Sequence, residues 1–192
     1  MSQEQKNKIR KYFFDKRLDL SQKYIISESK LICQKAINYI KKQKNIKNIA
    51  LYHPINNEVN LYSLHQFFEK NDYNIFLPKI IQNNLEFGYF KKDNLTHNHK
   101  IPKIIEPINI TNKIMDIVIC PLVCFDKNNN RIGMGGGFYD ILIEKSKKNN
   151  YHTKFIGIAY KEQYYDKLLP IEKFDQKLDL IITLINYNLN SG

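Results

Sequence analysis

The residues best suited to chemistry are concentrated in one stretch, Pro121 to Asp140, which reads PLVCFDKNNNRIGMGGGFYD. Four of the seven glycines in the chain fall between Gly133 and Gly137. Glycine adopts positive φ without steric penalty and lets a ligand approach the backbone, so this cluster predicts a contact surface. The following residues, FYDILIEKSKK, have helical spacing, and the free N–H groups at a helix N-terminus favour anions. Strand, glycine loop and helix together predict a phosphate-binding loop.

The glycine loop differs from two familiar phosphate-binding motifs. A P-loop has Lys and then Ser or Thr after its last glycine, and no such pair follows here. The dinucleotide fingerprint needs a third small residue where Phe138 stands. The neighbouring residues strengthen the prediction: Arg131 offers positive charge, Phe138 and Tyr139 offer flat rings, and Asp140 offers an oxygen ligand for Mg²⁺.

The amino-terminal segment supplies a row of cations. Residues from Gln3 to about Leu20 have a helical pattern with one apolar stripe. At ~100° per residue, Lys6, Arg10 and Arg17 fall within about 40° of one another beside that stripe. Such a row either lines a site at the edge of the buried face or belongs to the solvated surface.

The rest of the chain predicts an α/β fold in which a mostly parallel sheet carries helices on both faces. Ser21 is placed to cap a second helix that runs to about Lys42. A strand at 48–54, a helix at 59–70 and a strand closed by Pro78 form a strand–helix–strand unit, which implies parallel pairing. Residues 85–90 read as an edge strand, and further strands are expected at 116–123, 154–160 and 180–184, with a helix at 138–148.

Two polar residues follow the first predicted strand, His53 and Glu58. Ligands bind at the carboxyl ends of parallel strands, so both residues are candidates by position. His97 and His99 are close enough to share a metal, but no cluster of further ligands accompanies them, and we do not predict a metal there.

Composition limits the possible partners. The 192 residues most simply form one domain, and 30 Lys plus Arg against 19 Asp plus Glu give a net charge of +11. This charge permits nucleic acid, an acidic membrane surface or a polyanionic small ligand, although most of the lysines are expected to be solvated. No apolar run approaches the ~20 residues of a membrane span, and the amino terminus is too polar for a secretory signal, so we expect a cytoplasmic protein. The three cysteines, Cys33, Cys120 and Cys124, have no metal-like pairing and are expected to be structural thiols.

The loop and its flanks resemble the 5-formyltetrahydrofolate cyclo-ligases, also called methenyltetrahydrofolate synthetases. Their signature reads approximately P-x-V-A-F-D-x-x-G-x-R-L-G-x-G-G-G-Y-Y-D. The likeness extends over nearly the whole chain: Lys6 and Arg10 match a K-x-x-x-R element, Arg17 precedes L-x-L-S, and further matches are FLPKI, IIEP, IGIAYKEQ and LPIEKFDQKLD.

Three positions depart from the family pattern. Phe138 stands where tyrosine is usual, which removes only a hydroxyl group. Asn129 occupies the place of a glycine, which alters a turn. Phe174 stands where a histidine normally precedes Asp175, which places a supporting contact to the metal or nucleotide in question.

The resemblance implies a NagB/RpiA/CoA-transferase-like fold and ATP- and Mg²⁺-dependent conversion of 5-formyltetrahydrofolate to 5,10-methenyltetrahydrofolate, with release of ADP and phosphate through a phosphorylated N-formyl (iminium phosphate) intermediate. No covalent nucleophile is implied. A monomer that binds neither nucleic acid nor membrane is expected. The implied ATP-binding residues are Lys6, Arg10, Arg131, Ile132, Gly133, Met134, Gly135, Gly136, Gly137, Phe138 and Tyr139. The implied folate-binding residues are His53, Glu58, Met134, Gly135, Gly136, Gly137 and Phe138, and the implied metal ligands are Asp140 and Asp175.

Two other functions remain open at the level of the sequence. Another α/β enzyme acting on a phosphorylated ligand, such as a sugar-phosphate isomerase, would use the same glycine loop without ATP. A basic RNA-binding protein would use the net positive charge, but the basic residues are scattered and form no RNA-binding motif.

Overall fold

A seven-stranded sheet lies at the centre of the computed structural model, which describes residues 3–90, 95–96, 103–104 and 110–185. The helices are α1 (Gln3–Leu18), α2 (Gln22–Ile40), α3 (Tyr62–Lys70) and α4 (Phe138–Lys148), with a 3-10 helix at Lys161–Gln163. The strands are β1 (Asn48–Ala50), β2 (Asn74–Ile81), β3 (Asn84–Tyr89), β4 (Leu95–Thr96), β5 (Lys103–Ile104), β6 (Ile110–Thr111), β7 (Ile117–Cys120), β8 (Cys124–Phe125), β9 (Arg131–Ile132), β10 (Lys154–Ile158) and β11 (Leu180–Ile182).

The order of strands in this sheet is β11-β10-β7-β1-β2-β3-β6. The five strands from β11 to β2 pair in parallel, whereas β3 pairs antiparallel with both β2 and β6. The pairs β4–β5 and β8–β9 form two small antiparallel ladders. The prediction of an α/β fold with a mostly parallel sheet is confirmed.

Helices cover both faces of the sheet because successive strand residues point to opposite sides. On β1, Ile49 joins the core cluster under α2 and α3, and its neighbour Ala50 joins the cluster under α4. The same alternation separates Ile117 from Val118 on β7. Helix α1 packs elsewhere, with Phe13 in a third cluster beside the β8–β9 ladder.

Local sequence patterns predicted some helix boundaries correctly and others incorrectly. The Ser21 side chain accepts a hydrogen bond from the backbone N–H of Tyr24 at 3.3 Å, as expected of an N-cap. Helix α3 begins at Tyr62 and not near Val59, since the Asn60 side chain accepts from the Tyr62 N–H at 2.8 Å and forms a turn first.

The prediction that Pro78 closes its strand is wrong. Strand β2 continues to Ile81, and Pro78 pairs with Phe87 of β3. Proline is tolerated at an unpaired strand edge, because no ladder hydrogen bond there needs its missing N–H. Strand β1 pairs with β2 only up to Phe76, so one edge of β2 lies open from there onward. Strand β3, read as an edge strand, lies between β2 and β6.

The cysteines behave as small apolar residues. Cys33, Cys120 and Cys124 are free and buried. Burial raises the pKa of each thiol to about 12, so the reactive thiolate is disfavoured. This burial matches the structural role expected for them. His97, His99 and Glu106 of the IIEP element lie outside the described residues. Within the described ranges, no helix is long and apolar enough to cross a membrane.

Burial changes the protonation of His65 on α3. Its ring packs edge-on against Phe90 at 4.9 Å between centroids, and neither ring nitrogen has a hydrogen-bond partner among the described residues. Burial, with a smaller contribution from nearby His53, lowers the pKa of His65 from 6.5 to about 4. The unfolded chain therefore binds this proton at a higher pH than the folded chain does.

We predict that His65 makes the protein less stable as the pH falls from 6.5 towards 4. Linkage gives a loss of about 2 kcal/mol in the free energy of unfolding between pH 7 and pH 5 from this group. Urea unfolding at both pH values measures it, with His65→Phe as the variant that keeps a ring and cannot be protonated. Equal pH dependence in the wild type and the variant would contradict the prediction.

Candidate active site

The site lies where the chain leaves neighbouring strands in opposite directions. After β1 the chain forms α3 on one face of the sheet, whereas the segment after β7 leads to α4 on the other face. β1 and β7 are adjacent, so their carboxyl ends diverge and open a crevice. This is the position at which open α/β sheets bind ligands.

The crevice is a cavity of about 900 Å³. Fourteen of the fifteen site residues predicted from the sequence line it, all except Ile132. The side chain of Ile132 is buried beside Phe13 and Val123, behind the wall of the cavity, because the alternation of β9 turns it into that cluster. The complete lining is Gln3, Lys6, Arg10, Tyr52, His53, Ile55, Glu58, Pro78, Lys79, Ile80, Leu85, Pro121, Leu122, Arg131, Gly133, Met134, Gly135, Gly136, Gly137, Phe138, Tyr139, Asp140, Ile141, Glu144, Glu172, Phe174 and Asp175.

The glycine loop leads directly into α4, as predicted. Gly137 is the N-cap with a φ of 69°, and Gly135 has a φ of 103°. Gly136 is required by a close contact, since a Cβ there would lie 2.6 Å from the ring of Phe138. The loop thus presents backbone, with no side chain on the glycines, to the cavity beside the free N–H groups of a helix N-terminus.

Arg10 holds the glycine loop from α1. Its Nε donates to the carbonyl oxygen of Gly133 at 2.9 Å, and a second guanidinium nitrogen bonds the side chain of Asn7. The guanidinium lies over Gly135, where an added Cβ would be 3.7 Å from the guanidinium carbon. One cation therefore shapes the loop and also faces the cavity.

A short hairpin formed by β8 and β9 supports the loop from behind. Asp126 is 1% exposed, and its carboxylate accepts from the backbone N–H groups of Asn128, Asn130 and Leu169 at 2.9, 3.1 and 3.0 Å. Asn129 has a φ of 61°, a left-handed conformation that asparagine tolerates. The missing glycine at 129 is thus replaced by a residue that can make a left-handed turn.

Lys6 joins the first helix to the carboxyl-terminal part of the chain. Its Nζ lies 2.6 Å from both carboxylate oxygens of Asp175 and 3.4 Å from Glu172 Oε2. The Lys6 side chain is 9% exposed, so its charge is neutralised inside the protein. The predicted phosphate-binding cation and the predicted metal ligand are therefore each other's partners in this structure.

Arg131 and Asp140 form a second link to the same segment. Arg131 Nη1 lies 3.2 Å from Asp140 Oδ1 and donates to the carbonyl oxygen of Gln176 at 2.6 Å. The Gln176 N–H donates to the same Asp140 oxygen at 2.9 Å. These three bonds fasten residues 172–176 against the start of α4.

The opposite wall follows β1 and is only partly as expected. Glu58 is buried, and burial raises the pKa of its carboxyl group, against the opposing effects of the Ile55 N–H at 3.1 Å and the Arg17 guanidinium at 3.7 Å. Arg17 does not line the cavity. It is 1% exposed and donates to the carbonyl oxygens of Asn56 and Leu122 at 3.0 Å each. Of the three cations in the predicted row on α1, Lys6 and Arg10 therefore line the cavity, whereas Arg17 is buried and supports its wall.

Known proteins resemble this chain over most of its length. The model of the 5-formyltetrahydrofolate cyclo-ligase family matches residues 2–184. The chain belongs to this family. The 5-formyltetrahydrofolate cyclo-ligase of Mycoplasma pneumoniae is 34% identical over 181 residues, with 92% of this chain and 97% of that protein covered. That of Haemophilus influenzae is 33% identical over 160 residues, with 79% and 83% covered. A solved 5,10-methenyltetrahydrofolate synthetase structure from Mycoplasma pneumoniae gives a TM-score of 0.74 at 31% identity, covering 92% of this chain and 97% of that one.

Sequence reasoning missed one part of this cyclo-ligase cavity, its apolar lining. Several aliphatic side chains face the cavity, and sequence reasoning assigned none of them to the site. They lie on β2 and β3, in loops and on α4, where apolar residues are ordinarily read as core: Ile55, Pro78, Ile80, Leu85, Leu122 and Ile141. Ile55 and Ile80 are 51% and 54% exposed in the structure, a property that the sequence alone does not reveal.

The donors in the cavity fit a magnesium ion better than a metal held entirely by protein. Within the described residues, no group of three His, Cys, Asp or Glu side chains is arranged to hold a metal. Mg²⁺ characteristically takes one or two carboxylates and completes its octahedron with waters and substrate phosphates. Asp140 and Asp175 line one cavity as such a pair of carboxylates.

The glycine loop of this cyclo-ligase family member offers a matched test of backbone conformation. Gly135→Ala should destabilise the protein by about 1–3 kcal/mol, because a side chain is strained at a φ of 103°. Gly133→Ala is the control, since its Cβ would meet nothing within 4 Å. Denaturant unfolding compares the two variants, and equal stability would show that the loop is not held in this conformation.

Proposed function

We propose that the protein converts 5-formyltetrahydrofolate to 5,10-methenyltetrahydrofolate at this cavity, with consumption of ATP and release of ADP and phosphate. Beyond membership of the family, one observation supports this proposal most strongly. Three features line a single cavity: the cations of α1, the glycine loop with its helix N-terminus, and a largely apolar wall that contains His53 and Glu58. The first two features suit a triphosphate, and the third suits a flat heterocycle.

The triphosphate would lie between α1 and the start of α4. Backbone N–H groups at the start of α4 favour negative charge, and Lys6 and Arg10 provide two cations. Arg131 adds a third, although it also holds Gln176. Phosphoryl transfer requires chiefly positioning and neutralised charge, which is what these groups supply.

The chemistry follows from the poor leaving ability of the formyl oxygen. The γ-phosphoryl group moves from ATP to this oxygen, so that the bond to ADP breaks and a new phosphorus–oxygen bond forms. N10 then attacks the activated formyl carbon and loses its proton, and the carbon–oxygen bond breaks with release of phosphate. No step of this proposed reaction needs a covalent bond to the protein.

The folate would lie on the wall that follows β1 and β2. Exposed Ile55 and Ile80 offer apolar surface to the ring system. The buried Glu58 carboxyl group, with its raised pKa, offers hydrogen bonds to ring N–H groups in a dry environment. His53 and Met134 to Phe138 line the same cavity, and we propose that they also contact the folate.

We also propose Asp140 and Asp175 as the carboxylates that hold Mg²⁺. When bound, the ion neutralises charge on the phosphate oxygens. The protein's part would be to present both carboxylates to the phosphates. The contacts of Lys6 with Asp175 and of Arg131 with Asp140 support this proposal, because they hold both carboxylates at the cavity.

The remaining expectations stay proposals. We infer that residues 1–192 act as one catalytic domain, supported by a family match that spans residues 2–184. The strand order and the two helical layers are compatible with a NagB/RpiA/CoA-transferase-like fold. A monomeric state, a cytoplasmic location and the absence of nucleic-acid or membrane partners remain predictions of the sequence.

A direct assay tests the proposed function. Purified protein with 5-formyltetrahydrofolate, ATP and MgCl₂ should produce the absorbance of methenyltetrahydrofolate with equal amounts of ADP and phosphate. Excess chelator should stop the reaction, and added MgCl₂ should restore it. Absence of product from folded protein would refute the proposal, and turnover of a phosphorylated sugar without ATP would favour the isomerase alternative.

Two lysines on α1 provide a matched test of the triphosphate site. Lys6→Met should lower kcat/KM for ATP by about 10- to 100-fold, since charge-assisted hydrogen bonds contribute about 1.5–3 kcal/mol each. Lys8→Met is the control, because Lys8 is 75% exposed and pairs only with Glu4 among the described residues. Equal kinetics for the two variants would contradict the assignment of Lys6.

A further inference from the structure

Phe174 is the most exposed large apolar side chain among the described residues, with 76% of its surface accessible. It lines the cavity. An aromatic ring left in water contributes no hydrophobic stabilisation, and none of the three core clusters includes Phe174. A phenylalanine at this position therefore adds no packing to the hydrophobic core. This exposure is better explained by a contact with a ligand.

The ring is carried by a fixed turn. The N–H of Asp175 donates to the carbonyl oxygen of Glu172 at 3.0 Å, and the N–H of Glu172 donates to Asp175 Oδ2 at 2.7 Å. Lys173 and Phe174 thus occupy the two central positions of the turn. Lys6 holds Asp175 on one side, and Arg131 and Asp140 hold Gln176 on the other. The backbone that carries the exposed ring is therefore held in place before any ligand arrives.

The same bonds place the turn at the phosphate end of the cavity. Asp175 contacts Lys6 directly, and Gln176 contacts residues at and before the start of α4. The other aromatic residues of the lining are less available, since Tyr52 is 3% exposed and Phe138 and Tyr139 are half-buried. For a ligand ring attached to the bound phosphates, Phe174 is therefore the accessible aromatic side chain with which that ring can stack.

We propose that Phe174 stacks on the base of the bound nucleotide and thereby sets the affinity for it. The proposal rests on the proposed function, which supplies ATP as the ligand. Phenylalanine has no hydrogen-bonding group, so the contact recognises the face of a ring and not its edge. A polar residue at this position would add edge contacts, whereas Phe174 should bind ATP and GTP with similar strength.

A fluorescence experiment tests the contact directly. The chain contains no tryptophan, so Phe174→Trp introduces a single reporter on the turn. Addition of Mg²⁺ and ATP without folate should quench its emission strongly, whereas inorganic tripolyphosphate with Mg²⁺ should leave the emission nearly unchanged. Tyr151→Trp is the control, since Tyr151 lies after α4, outside the cavity lining, and should not respond to either ligand.

Affinity measurements provide the second test. Phe174→Ala should raise the dissociation constant for ATP by about fivefold to tenfold, the lower end of the range for base stacking, because one face of the ring remains in water. Phe174→Tyr keeps the ring and should restore the wild-type value. The affinity for 5-formyltetrahydrofolate should change by less than twofold in both variants.

The outcomes separate this inference from the proposed function. If the wild type turns over with ATP but Phe174→Ala binds it with wild-type affinity, stacking is refuted and the proposed function stands. The same follows if tripolyphosphate quenches Phe174→Trp as strongly as ATP does, or if folate affinity falls instead. If the wild type neither binds nor uses ATP, the proposed function itself fails.

Discussion

The contact between Lys6 and Asp175 links the two ends of the described chain, which are 169 residues apart at this point. An ammonium group this buried is unfavourable unless it is paired, and removal of one partner of a buried pair typically destabilises a protein by about 3–5 kcal/mol. The pair therefore fixes where α1 docks. Once α1 is docked, Arg10 reaches the carbonyl oxygen of Gly133, and Phe13 enters the cluster beside the β8–β9 hairpin.

The charge of the cavity differs from the charge of the chain. The protein carries a net charge of +11, yet the cavity is lined by four Lys or Arg side chains (Lys6, Arg10, Lys79, Arg131) and by five carboxylates (Glu58, Asp140, Glu144, Glu172, Asp175). Recognition of a polyanion here thus cannot rest on excess positive charge. It must come from directed N–H groups, from rearranged ion pairs and from a divalent cation that offsets the carboxylates. The excess of basic residues lies elsewhere, as expected for solvated lysines.

Sequence reasoning succeeded where a local pattern determines the outcome. The glycine loop ends at a helix that begins at Phe138, as the apolar spacing predicted, and Gly137 is its left-handed N-cap. It failed where residues that are distant in the sequence determine the local structure. Pro78 does not end its strand, since the short β1 leaves that edge of β2 unpaired. Arg17 shares a helical stripe with Lys6 and Arg10, but the docking of α1 buries it against Asn56 and Leu122. The two-residue strands β8 and β9 are too short for any alternation to be visible.

The ion pairs also give a physical reason for binding ATP together with a divalent cation. Bare ATP could draw Lys6 away only by leaving the Asp175 carboxylate unpaired and facing phosphate, two like charges in a partly buried cavity. Under the proposed function, a nucleotide bound with its own cation would offer a partner to each side, since phosphate oxygens would pair with Lys6 and the cation would bind Asp175. The exchange then leaves no buried charge uncompensated. Under the proposed function, Lys6 and Asp175 therefore neutralise each other in the absence of ligand, as the phosphates and the metal would neutralise them in the complex. The pair keeps both side chains in place until the nucleotide and the cation bind.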